Sequence, residues 1–82
     1  MLAAEAVEYL AKLPPDEPVF VLRAQDVYAP AVMASWAILV KSPLPNKAPS
    51  NESLAKSREA MNVVREFRQW QLANPTKVKV PD

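Results

Sequence analysis

Aromatic rings, arginines and one glutamine are the side chains of this 82-residue chain best suited to hold a ligand. Tyr9 lies beside an apolar stripe that contains Val7 and Leu10, near its edge. A ring so placed can stack on a nucleobase, for roughly 1–3 kcal/mol per base. It can equally close the rim of a core with its hydroxyl in water. Arg23 and Gln25 follow in a central segment, where they suit a phosphate or a base edge; the alternative for Arg23 is a surface pair with Asp16 or Glu17. Arg58, Arg65 and Arg68, spaced seven and three apart, share one flank of a helix. Their planar, bidentate donors match phosphate oxygens. A solvated, charged helix face is the competing reading.

What the chain lacks narrows its chemistry. It has no histidine, cysteine or glycine. Phosphate-cradling glycine loops are therefore absent, as are disulfides and the common zinc sites. The usual general base and the thiolate nucleophile are missing too. Asp16-Glu17 and Glu5/Glu8 read as capping and solubility charges, with no histidine or metal-ligand cluster beside them. Most familiar routes to catalysis are thereby closed, and a non-enzymatic role without cofactor or metal is expected.

The net charge is +1, so no global field draws the chain to DNA or RNA. Its halves differ: residues 1–26 carry two basic against five acidic groups, and residues 27–82 carry eight against four. Such asymmetry suits contacts between copies or a local anion site. Half the residues are hydrophobic, yet a domain this small buries only about 60% of its unfolded surface. An interface between copies would absorb the excess, so self-association is expected. There is no basic n-region ahead of an apolar h-region. The longest apolar run, residues 29–40, is broken by Ser35 and falls short of the ~20 residues of a bilayer span. A soluble, intracellular protein with no membrane partner is expected.

Three helices must position these groups, an all-α protomer. Leu2, Ala3, Ala6, Val7, Leu10 and Leu13 recur at three- and four-residue steps, predicting a helix over 2–13. Pro14-Pro15 ends it, since neither residue donates a backbone N–H. Residues 16–25 read as an extended segment or a short helix packed by Phe20 and Leu22, because Val78 and Val80 alone resemble a strand partner. A second helix opens at Ala29-Pro30 and runs to about Lys41. It is apolar almost all round, which predicts burial on every side. Residues 42–51 form a proline-rich linker. The last helix opens at Ser50 or Asn51 and ends near Ala73-Asn74-Pro75, with Leu54, Ala60, Met61, Val64, Phe67 and Trp70 on its apolar side. Residues 75–82 make an extended basic tail, and the whole is one domain.

The string LPPDEPVFVLRAQDVYAP, the Trp36 helix after it, and the VPD-ended basic tail resemble a family of small phage proteins. These are the anti-CBASS cyclic-oligonucleotide sponges of type 2. The resemblance spans roughly Glu8 to Trp36, with Trp70 and Lys77 to Asp82, and does not include the linker. It implies a helical protomer assembled as a homohexamer in the cytoplasm of an infected bacterium. Such a protein sequesters the cyclic dinucleotide messengers of antiphage signalling, and in some members cyclic trinucleotides, without hydrolysing them. It further implies that Tyr9 is the base-stacking aromatic. The family's phosphate-contacting basic residue falls in or just after the central segment, where this chain offers Arg23, Gln25, Val27 and Tyr28 but no lysine. An arginine of the last helix, Arg65 or then Arg68, would serve a trinucleotide site.

Two other functions compete. One is a structural or protein-interaction module that docks through the helix at residues 30–41. The other is a phosphodiesterase that degrades the messenger, which the missing catalytic groups argue against.

Overall fold

The computed structural model describes residues 1–41 and 48–80. Residues 42–47 of the linker and Pro81-Asp82 of the VPD string lie outside the described residues. Three helices are present, α1 (Ala3–Ala11), α2 (Ala29–Lys41) and α3 (Asn51–Ala73), and the described residues contain no strand. The chain is an all-α protomer, as its periodicity predicts.

α2 and α3 are the pair of helices that pack together, as an antiparallel hairpin. Small residues set their close approach. Ala29, Ala37, Ala60 and Val64 are the buried hydrophobic residues, and Val64 is wholly buried. Ser57 Oγ donates to the Ala37 carbonyl at 2.8 Å, and the Ser53 hydroxyl faces the Lys41 carbonyl at 3.4 Å. α3 starts on a reciprocal capping box. Ser53 N–H donates to Ser50 Oγ at 3.0 Å, and Ser50 N–H donates to Ser53 Oγ at 2.9 Å. This satisfies two of the amides that a helix start leaves unpaired. At the other end Asn74 stands where glycine is common, but its φ of −131° is not left-handed. Its side-chain amide instead donates to the Trp70 carbonyl at 2.9 Å.

α1 stands apart from the hairpin. It buries no residue, has no side-chain cap, and its backbone does not approach α2 or α3 closely. Leu13 N–H donates to the Leu10 carbonyl at 3.1 Å, and Pro14-Pro15 then turn the chain. Residues 18–23 have no regular secondary structure.

Two packing expectations need correction. Phe20 does not pin the central segment to a core, for it is 85% exposed with Val19 and Val21 open beside it. The one α2–α3 interface is filled by its own small residues and offers no slot for that ring. α2 is also not buried all round: Trp36, Ile38 and Leu39 are 47%, 72% and 70% exposed. A single neighbouring helix covers only one face, and α2 turns Ala29 and Ala37 to the covered side.

The segment after α3 returns to the centre of the chain. Asp26 and Lys79 form an isolated parallel bridge. Val27 N–H donates to the Lys79 carbonyl at 2.8 Å, and Lys79 N–H donates to the Gln25 carbonyl at 2.9 Å. The radius of gyration is 14.5 Å, against about 12 Å for a compact chain of this length. α1 and the central segment spread beyond the hairpin and account for the excess.

Candidate ligand cleft

The gap between α1 and the hairpin is a cleft of about 620 Å³. That volume lies within the roughly 300–1,000 Å³ typical of small-molecule sites. Three elements wall it. α1 contributes Ala6, Tyr9 and Leu10, with Leu2 just ahead of it; Leu2, Ala6 and Tyr9 recur at the four- and three-residue steps that place side chains on one helical face. α3 contributes Val63, Phe67 and Trp70, again at steps of four and three. The central segment closes one end with Phe20 to Gln25, and Met33 of α2 also lines the wall. Most of the lining is apolar. The polar side chains among the lining residues are those of Tyr9, Arg23 and Gln25, and Trp70 adds an indole N–H.

Tyr9, Arg23 and Gln25, separate in sequence, therefore line one cavity. Tyr9 is half-exposed, with its ring available to a planar guest. Among the described residues the Arg23 guanidinium has no carboxylate partner, so the surface pair with Asp16 or Glu17 does not form. Its positive charge is uncompensated at the mouth of an apolar slot. Such a slot takes a flat aromatic body between rings and an anionic or carbonyl edge at its polar end.

The remaining candidates lie elsewhere. At 100° per residue, Arg58, Arg65 and Arg68 fall on the side of α3 roughly opposite Val63, Phe67 and Trp70. Arg65 hydrogen-bonds Asn62 one turn back, through Nη2 to Oδ1. Arg68 borders a separate, flatter concavity with Gln71, Leu72, Pro75 and Val78. Tyr28 lines neither space. It extends the outward stripe of α2, in step with Val32, Trp36 and Leu39, and is exposed. Within one chain the cleft and the α3 arginines are thus two distinct surfaces.

The backbone that carries Arg23 and Gln25 is held on several sides. Arg23 N–H donates to Asp26 Oδ2 at 3.2 Å, and Asp26 N–H returns to the Arg23 carbonyl at 3.0 Å. Gln71 of α3 reaches across with Nε2, 2.9 Å from the Ala24 carbonyl and 3.0 Å from the Asp26 carbonyl. Asp26 itself is buried.

Phe67 and Trp70 are visible in the sequence as apolar positions of α3, but the pattern does not divide that side into two. Ala60 and Val64 go to α2, whereas Phe67 and Trp70 go to the cleft. Gln71 carries no sequence signal at all, being an ordinary helical glutamine until its distant partners are known. The described residues hold no group of three or more metal-ligating side chains, and no described helix is long and apolar enough to cross a membrane. No family model matches the chain, and neither a curated protein nor a solved structure is significantly similar to it.

Proposed function

We propose that this protein is a non-enzymatic sponge that captures cyclic dinucleotides, and through a second surface cyclic trinucleotides, shielding a phage from its host's signalling. The observation that carries this reading is the cleft in which Tyr9, Arg23 and Gln25 stand with Phe67 and Trp70. Aromatic walls suit a base, an unpaired guanidinium suits a phosphate, and an amide suits a base edge. The resemblance of residues 8–36 to cyclic-oligonucleotide sponges selects this ligand class among planar anions. Arg65 and Arg68, on another face of α3, are the candidates for trinucleotide binding.

A cyclic dinucleotide has near-twofold symmetry, so two copies meeting across a twofold axis would each offer one Tyr9 and one Arg23 to half of it. The apolar stripe of α2 supports association between copies, with a homohexamer as the specific expectation. Stoichiometric capture needs roughly nanomolar affinity, about −12 kcal/mol. A preformed cleft lowers the ordering cost of reaching it.

Calorimetric titration with a panel of cyclic di- and trinucleotides tests the reading, followed by recovery of the ligand after heat denaturation. Tight binding with the ligand recovered intact is expected. No binding at micromolar concentrations to any member overturns it, and recovery of linear product would make the protein a phosphodiesterase. The exposed Trp36, Ile38 and Leu39 favour a second reading, a module docking on another protein through α2. That reading predicts a monomer by light scattering and no nucleotide affinity.

A further inference from the structure

Two of the cleft's polar groups sit on a turn that has no support from a sheet or from glycine. Arg23 and Gln25 flank Ala24, and the carbonyls of residues 23, 24, 25 and 26 all accept hydrogen bonds. The donors come from three places: the turn with the start of α2, the side chain of Gln71, and the backbone of Lys79. Gln71 is central, because one amide nitrogen serves both the Ala24 and the Asp26 carbonyls. It follows Trp70 directly, so a single stretch of α3 supplies an aromatic wall and the anchor of the opposite polar end. Neither Gln71 nor Lys79 lines the cleft.

We infer that Gln71, assisted by the backbone of Lys79, is a positioning residue that presets Arg23 and Gln25 for the ligand it never touches. The inference rests on the cleft being the binding site proposed above. Without the Gln71 amide the Ala24 carbonyl loses its donor and the turn gains freedom. Ligand binding must then re-order Arg23, at the expense of affinity.

The test uses the full chain and two variants. Gln71→Met keeps length and helix propensity while removing the donor. Lys79→Pro removes the N–H that serves Gln25 while leaving α3 intact. Amide hydrogen exchange in the free protein should quicken at Arg23, Asp26 and Val27 in both, with Val64 unchanged. Calorimetry with cyclic di-adenylate and cyclic GMP–AMP should show Gln71→Met weakening whichever probe binds by about tenfold, the scale of one or two net hydrogen bonds. In an Arg23→Ala background the same change should cost less than about threefold, since residues acting through one another are not additive. In an Arg65→Ala background it should keep its full effect. If the parent chain binds a probe and Gln71→Met binds it equally well, the inference fails and the sponge reading stands. Full additivity with Arg23→Ala also overturns it. A parent chain that binds neither probe removes the sponge reading for these ligands and the positioning role with it, whatever the exchange data show.

Discussion

Val64 and Tyr9 mark two kinds of residue in this chain. Val64 is the largest wholly buried side chain among the described residues, and Tyr9 is an apolar ring left half in solvent. Val64→Ala removes two buried carbons at the α2–α3 contact and should lower stability by about 2 kcal/mol, read from urea denaturation. Tyr9→Ala should barely move the urea midpoint, yet should weaken cyclic dinucleotide binding by roughly 1–3 kcal/mol in calorimetry. Arg65→Ala should act on cyclic trinucleotides and spare dinucleotides; an equal loss for both would contradict two separate surfaces. Tyr9, Arg23 and Gln25 were legible as candidates, an aromatic at the edge of an apolar stripe and two polar side chains in the central segment. Their placement around one cleft was not legible, since it depends on Phe67 and Trp70 of α3, more than forty positions away from Arg23 and Gln25. Gln71 was silent for the same reason.

Among the elements, the helix limits were the most legible feature. Pro14-Pro15, Pro30 and Pro75 punctuate the chain, and the observed ends fall within two residues of those expected. Burial was less legible, because periodicity says which faces are apolar and not how many neighbours a single chain can supply. α2 looks like a core helix in sequence and is a two-faced one in structure, with Ala29, Pro30 and Ala37 inward and Val32, Trp36, Ile38 and Leu39 outward. α3 depends on its start: Ser50→Ala removes the oxygen that caps Ser53 and should cost about 1 kcal/mol, detectable in the urea midpoint. α1 depends on neither partner helix. Its amides should exchange fastest of the three helices in the free protein and slow when a ligand fills the cleft; fast exchange persisting at saturation would mean that the ligand sits elsewhere.

For the whole molecule, the balance of surfaces matters most. The described residues contain only four buried hydrophobic residues, while Val32, Trp36, Ile38 and Leu39 stay open along α2. A contiguous apolar stripe of this kind is typical of an interaction surface. Placing charge there by Trp36→Glu with Leu39→Glu should reduce the particle mass measured by light scattering to that of a single chain, with helicity retained by circular dichroism. An unchanged mass, or a parent chain that already has the mass of a single chain, would overturn association through α2.

The Gln71 clamp and the bridge at Lys79 also constrain the order in which the protein is completed. Gln71 and Ala24 lie 47 residues apart, and the intervening chain includes all of α2 and most of α3. A ribosome adds residues from the N-terminal side at roughly 5–20 per second. Arg23 and Gln25 thus emerge seconds before the groups that orient them. During that interval α2 can form while the turn at residues 23–26 still lacks its anchor. The turn that carries Arg23 and Gln25 is then the last part of the described chain to be fixed, once residues 71–79 have docked.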